Sequence, residues 1–214
     1  VALGLRSLAL ALGATGLTLV AALVLSIGKR LVKANGIQLL ADGAGLGYAI
    51  PGTVLALGFL LLGGGWGLAP LLLLVWGYVD RFLAVAKGGL DTALEGLAPS
   101  VDEAAQSLGC DWVGLVRRIQ LPLLRGPLLV AGLLVFVDTV KELPLTFALR
   151  PFDFDTLAVR VYQYASDERL GAALVPALVI LVLGLLAAIA LIPSLDQELP
   201  DPSDQPKTAQ SSIP

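Results

Sequence analysis

The 214 residues are 57% hydrophobic and only 14% charged, with a mean hydropathy of +0.85, and soluble domains are only about half apolar; the chain reads as an all-α membrane protein, a polytopic bundle of transmembrane helices. With no histidine and a single cysteine, Cys110, histidine acid–base chemistry, disulfide frameworks and Cys/His metal sites are excluded within it, and no catalytic residue, metal site or cofactor is expected. The formal charge of −3 decides nothing by itself, because the distribution of Lys and Arg among loops orients a membrane chain, not their sum.

An apolar run over about 5–27 is long enough to cross a hydrocarbon layer about 30 Å thick, and reads as a span, not a cleavable leader. Lys29, Arg30 and Lys33 follow, so the positive-inside rule puts this end in the cytoplasm and Val1 outside. A chain that opens on Val1 reads as a piece of a longer one. A second span over about 47–62 carries Pro51 and Gly52 near its inner boundary, where they kink the helix for packing or free backbone groups toward a cavity. The uncharged turn 63–67 leads into a third span, about 68–86. Asp80 and Arg81 are adjacent there and point in different directions; Arg81 is expected to reach for the inner surface, and Lys87 marks the cytoplasmic exit.

Residues 100–122, SVDEAAQSLGCDWVGLVRRIQLP, form a polar stretch between apolar ones. Ser100 and Glu103 have the spacing of a capping box, with Pro99 just before it. Gly109 offers the left-handed residue that closes a short helix, and Asp111 can cap a second one running toward Ile119. The spacing predicts a helix-turn-helix outside the bilayer, either a solvated connector or an element with a partner. Arg117, Arg118 and Arg125 anchor it on the inner side, and Cys110 within it reads as a reduced bystander.

The order Glu103, Ala104, Ala105, then Gly109, then Ile119, Leu121 and Pro122 resembles the EAA loop of the permease subunits of binding-protein-dependent (type I) ABC importers. The resemblance implies a bundle of the MetI-like permease type and a cytoplasmic loop whose seven named residues dock in a groove of an ATPase subunit. The residue types suit that role: Ala104 and Ala105 permit close approach, Glu103 can cap and pair with a cation, and Gly109 sets the bend. Similar permeases also carry a Pro-Gly pair where Pro51 and Gly52 stand.

A fourth span starts near Pro127. Asp138, Lys141 and Glu142 share one helical face, Asp138 roughly 16 Å along the helix and Glu142 roughly 6 Å further out. An unpaired charge at that depth costs at least about 2.5 kcal/mol, so the three either lock helices together as a structural pair or line a substrate path. Pro144 is expected to end the regular helix, with 145–149 completing the crossing. Beyond it the stretch KELPLTFALRPFDFDTLAVRVYQYASDERL is similar to the corresponding part of iron(III) permeases. Asp155 can cap a short amphipathic helix to about Tyr164, with Leu157, Val161 and Tyr164 on one side. At the outer interface this helix anchors the membrane surface, or offers Asp155, Tyr162 and Tyr164 to an external substrate-binding protein, or both. A last span over about 172–192 is stopped by Pro193, and the tail 194–214 lacks core formers and is expected to be disordered in the cytoplasm.

Five spans therefore make a permease domain over 1–193, with a coupling loop at 91–122 and an outer amphipathic segment at 150–170. No G-x-x-x-x-G-K-[ST] phosphate loop occurs, so energy has to come from a partner. The resemblance supplies the partners: a cytoplasmic ABC ATPase dimer, a second permease unit fused or separate, a periplasmic or extracellular binding protein and the bilayer, with no nucleic acid. It places the chain in a bacterial inner (plasma) membrane, as the second unit of a two-unit iron permease. Ferric iron is the implied solute; thiamine, polyamine, sulfate and phosphonate importers share the inner loop. A secondary transporter or membrane enzyme using Asp138, Lys141 and Glu142 as a proton relay is the reading from another class.

Overall fold

The computed structural model describes residues 2–32, 35–65 and 67–196; Lys33 and the stretch 197–214 of the expected tail lie outside them. The chain runs through α1 (Ala2–Leu31), α2 (Asn35–Gly43), α3 (Leu46–Ala49), α4 (Gly52–Gly65), α5 (Pro70–Glu95) and α6 (Pro99–Ser107). It continues through α7 (Trp112–Leu115), a π-helical turn (Val116–Gln120), α8 (Leu121–Leu123), α9 (Arg125–Lys141), α10 (Pro144–Leu149), α11 (Leu157–Ser166) and α12 (Leu170–Asp196).

The centre of the bundle is α5, flanked by α1 and α9. Tyr78, Leu74, Phe82 and Leu90 of α5 pack with Leu10 and Ala14 of α1, Val135 of α9 and Leu145 of α10 in one buried cluster. Apart from Leu10, the face of α1 turned inward is made of small residues: Ser7, Ala11, Ala14, Thr18, Ala22 and Ser26 are buried, while Leu5, Leu12, Leu17, Val20 and Val24 are exposed. That inversion fits a bilayer, where lipid solvates large apolar side chains as well as protein does and small ones let backbones approach. The outer helix α12 packs on α11 and α9 and leaves most of its apolar surface uncovered.

Among the described residues, two helices are long and apolar enough to cross a membrane unaided, Leu3–Leu31 and Leu170–Ala190. Two sharply bent pairs reach that length and apolarity only together: Ala41–Ala49 with Gly52–Gly63, bent by 116°, and Trp112–Leu123 with Arg125–Lys141, bent by 67°. The fifth long helix, α5, carries Asp80, Arg81 and Lys87 within its run. The expected kink at Pro51 is thus a near-reversal, because Pro51 cannot donate to the helix before it and Ile50 is extended (ψ 132°).

Several expected boundaries are corrected. The helix expected as the third span continues to Glu95, so the first residues of the expected loop 91–122 are helical. The helix at 99 is capped by Ala98, with no side-chain bond, and Pro99 occupies its first turn; Ser100 therefore does not cap, since a proline ring is pre-set for the first helical position and draws the start forward. The fourth span ends at Lys141, and Pro144, expected to end it, opens α10 for the same reason. The helix at 157 is capped by Thr156, whose hydroxyl accepts from Val159 N at 3.4 Å, and not by Asp155. The last helix carries through Pro193 to Asp196, within the tolerance of membrane helices for proline.

Candidate functional site

At the end of the bundle where α1 finishes stands the helix-turn-helix. Gly109 closes α6 with φ +82°, and its N–H donates to Gln106 O (2.9 Å) while Cys110 N–H donates to Ala105 O (3.0 Å). This double bond pattern ties off the helix carbonyls and needs a left-handed residue at 109. Asp111 then caps α7, accepting from Gly114 N at 3.0 Å. Of the residues singled out from sequence, Glu103, Ala104, Gly109 and Leu121 are exposed, Ile119 and Pro122 half-buried, and Ala105 buried against the bundle side. Around them stand apolar side chains that sequence reasoning passed over: Leu108 is 88% exposed and Trp112 55%, with Val101 and Val113 beside them. The only signal was their apolarity within a polar stretch.

The element is fastened to the bundle by residues that the sequence reading treated as anchors or ignored. Arg30 Nε donates to Asp102 Oδ2 at 2.7 Å, one Arg30 Nη donates to the Leu94 carbonyl and the other to Leu97 O at 3.2 Å. One guanidinium thus joins the end of α1, the end of α5 and the first turn of α6. The other oxygen of Asp102 faces the amide of Gln120 at 3.5 Å. Gln120 is fully buried in the π-helical turn, and its Oε1 has no partner.

A second cluster surrounds the break at Ile50–Pro51. Arg81 Nη1 donates to Ile50 O at 3.0 Å, satisfying a carbonyl left over where the helix breaks, and Arg81 Nε lies 3.7 Å from Glu142 Oε1. Arg81 is therefore held inside the bundle and does not reach for the inner surface. Glu142 is 7% exposed and caps the start of α10: its carboxylate accepts from Leu145 N (3.1 Å), Thr146 N (3.1 Å) and the Thr146 hydroxyl (3.1 Å). The Tyr78 hydroxyl adds a bond to that of Thr146. A Cβ added at Gly52 would meet Glu142 Oε1 at 3.2 Å and Arg81 Cζ at 3.5 Å, so the first turn of α4 rests on the same ion pair. Nearby Gly47 crosses α5 so closely that a Cβ would stand 2.5 Å from Asp80 O.

The three residues expected on one face of the fourth span do not share one role. Asp138 and Lys141 pair with each other at 2.9 Å, Lys141 largely exposed, whereas Glu142 leaves the helix with extended backbone (ψ 124°) and turns inward. All three still border one open cleft of about 340 Å³, together with Tyr48, Arg81 and Phe82. Its four charges cancel in two pairs, and among the described residues no group of three or more His, Cys, Asp or Glu side chains converges to hold a metal ion.

The third expected site lies at the other end of α1, where Ser7 Oγ accepts from Leu157 N at 2.8 Å. Ser7 and Arg30 are about 35 Å apart along the helix, so α6 and α11 sit at opposite ends of the bundle. Asp155 is engaged by Arg150 and, at 2.7 Å, by Arg160. Tyr162 is exposed and meets Phe147 edge-on at 5.4 Å, and Tyr164 is half-buried. Between α10 and α11, Phe152 is fully exposed on a turn held by Arg6, whose guanidinium donates to Asp153 O at 2.9 Å.

A bundle of long apolar helices with a helix-turn-helix fastened at one end and a charge-paired cleft inside is the architecture of an all-α membrane protein. The comparisons with known proteins carry this one step further. No family model matches the chain. Over 129 residues, 59% of the chain, it is 29% identical to an Fe(3+)-transport system permease protein of Haemophilus influenzae, of which the match covers 26%. Over 104 residues, 49% of the chain, it is 35% identical to a probable molybdenum ABC transporter permease protein of Haloferax volcanii, of which the match covers 38%. The chain thus spans well under half the length of these relatives. In fold it is similar to a bacterial ABC transporter that imports the acidic polysaccharide alginate, with a TM-score of 0.64, 14% identity, and coverage of 90% of this chain and 78% of that one. The resemblance to permease units of ABC importers, the iron(III) ones included, is borne out, and so is the all-α membrane bundle.

Proposed function

We propose that this chain is the membrane-spanning permease subunit of an ATP-driven, binding-protein-dependent importer in a bacterial inner membrane, and that it has no ATP site of its own. The observation that carries this reading is the 100–122 element: rigidly closed at Gly109, tied to α1 and α5 through Arg30, and presenting Leu108 and Trp112 outward. Exposed large apolar side chains on a fixed scaffold suit a partner surface. The partner is the ATPase dimer, with Glu103, Ala104, Ala105, Gly109, Ile119, Leu121 and Pro122 in or beside the contact. A second permease unit, fused or separate, completes the pore.

Solute arrives from an external binding protein at the opposite end, where Asp155, Tyr162 and Tyr164 are joined by exposed Phe152. It passes the cleft bordered by Asp138, Lys141 and Glu142. The relative from Haemophilus influenzae supports ferric iron as cargo, and the molybdenum permease relative supports another small solute in the same path. Because Asp138 and Glu142 are each paired with a cation, the cleft itself gives no preference for a positive cargo.

The test is co-expression with the ATPase and extraction in mild detergent. The ATPase is retained by the wild type and lost when Leu108→Asp and Trp112→Ala are combined, while membrane insertion is unchanged. Proton-coupled uptake by this chain alone in liposomes, with no ATPase retained, would overturn the reading in favour of a secondary transporter.

A further inference from the structure

A groove of about 740 Å³ opens between the first turn of α1, the length of α11 and the start of α12, lined by Leu3, Arg160, Tyr164, Val175, Pro176 and Val179. It lies at the end of the bundle opposite the 100–122 element, since Leu157 N at the head of α11 is bonded to Ser7 near the start of α1. Its apolar lining comes from Val175, Pro176 and Val179 of α12, with Leu3 of α1 facing them and Leu157 of α11 beside them. Val175 is 67% exposed, so this trough faces the surroundings of the bundle, not its core. Apolar walls at that depth are not left to water, and the open side of α1 and α12 faces lipid.

The polar end has a different chemistry. Arg160 and Arg169 both lie against the Tyr164 ring, with guanidinium carbons 5.7 and 5.1 Å from its centroid. Arg160 shares Asp155 with Arg150, so two guanidiniums answer one carboxylate, and Arg169 stands against the same ring as Arg160; Asp167 and Glu168 are exposed on the turn after α11. Only one of the five Arg160 donors is used in a described side-chain bond, to Asp155 at 2.7 Å. A planar guanidinium fixed on an aromatic face, with donors to spare, suits a phosphate oxygen better than a lysine would. A phosphate-binding head joined to an apolar trough on the outside of a membrane bundle has the polarity of one molecule, a phospholipid.

We propose that this groove binds a phospholipid, its phosphate on Arg160 and one acyl chain along Val175 and Val179 of α12. The inference rests on the membrane fold and is independent of the importer reading. The site would stabilise α11, the amphipathic segment at that end, against α1 and α12.

The purified full chain in mild detergent, titrated by native mass spectrometry, tests this with three probes: phosphatidylglycerol, a diacylglycerol of the same chains, and inorganic phosphate. One phosphatidylglycerol is retained per chain, and the diacylglycerol binds about tenfold more weakly because the charge-assisted bond is missing. Val175→Trp, a filling change at an exposed position, removes retention, and Leu3→Trp on the facing wall does the same. Arg160→Ala brings phosphatidylglycerol down to the level of the diacylglycerol. The proposal is overturned if diacylglycerol binds as well as phosphatidylglycerol, if phosphate alone competes fully with the lipid, or if both groove-filling variants retain it. It is overturned equally if Val175→Cys cross-links two copies of this chain with lipid excluded.

Discussion

Arg30 and Asp102, 72 residues apart in the chain, meet at 2.7 Å, and through this pair α6 hangs from α1 and α5 as well as from its own neighbours in sequence. Force applied to the exposed rim of α6 therefore reaches two central helices directly. The same guanidinium holds the Leu94 and Leu97 carbonyls, which a lysine cannot fork to reach. Arg30→Lys and Asp102→Asn should each raise amide exchange in 99–107 about tenfold or more, given that hydrogen bonds to charged groups contribute about 1.5–3 kcal/mol. Hydrogen exchange by mass spectrometry measures it; unchanged protection in both variants would mean that the pair holds nothing.

Gly109 has nothing within 4 Å of an added Cβ, so the constraint there is backbone alone. With φ +82°, a β-branched residue costs about 1–2 kcal/mol or more, and asparagine less. On the proposed importer reading, Gly109→Val is expected to abolish solute uptake driven by ATP while ATP hydrolysis continues, and Gly109→Asn to retain most of it. Paired assays of hydrolysis and uptake in proteoliposomes compare the two. Full uptake by Gly109→Val would count against the coupling role of this bend.

Glu142 and Asp138 differ in how their charges are held, one buried against Arg81 and one partly exposed beside Lys141. Removing the partner of a buried charge destabilises by about 3 kcal/mol, so Glu142→Ala and Arg81→Ala should lower the melting midpoint clearly and by similar amounts. The Asp138–Lys141 pair is partly exposed and worth about 1 kcal/mol or less. Asp138→Asn should leave stability nearly unchanged while altering uptake rate. A thermal melt in detergent beside a transport assay distinguishes the two, and equal destabilisation by Asp138→Asn would contradict the geometry.

Gly47→Ala is expected to destabilise by about 1–3 kcal/mol, because its methyl would fall 2.5 Å from Asp80 O, a backbone atom that cannot swing away. Gly58→Ala, on the neighbouring helix with open space around it, is the control and should be neutral or slightly stabilising. Thermal unfolding of the two variants side by side provides the measurement.

Much of the architecture was legible from local pattern. Apolar runs set the long helices, Gly109 and Asp111 set the turn of the helix-turn-helix, and the fixed positions from Glu103 to Pro122 carried the resemblance. Helix starts were read less well at Ser100 and Asp155, where several residues able to cap stood together. Proline at 99 and at 144 is the first residue within a helix and not a boundary outside one, a choice the neighbouring packing makes and the local residues leave open.

By itself the sequence determined that this chain lives in a bilayer and that its apolar helices are interrupted by one polar helix-turn-helix. These follow from hydropathy and short-range backbone preference, which act within a few residues. Only the tertiary structure decided that Arg30 fastens α6, that Arg81 holds Ile50 and Glu142, and that Glu142 turns inward while Lys141, its neighbour, stays exposed. Arg30, Arg81 and Glu142 each meet a charged partner that the chain brings back from a distance. In a low-dielectric bundle an unpaired charge is too costly to leave, but which partner answers it depends on how the helices cross, and the stripe of small residues on α1 sets that crossing.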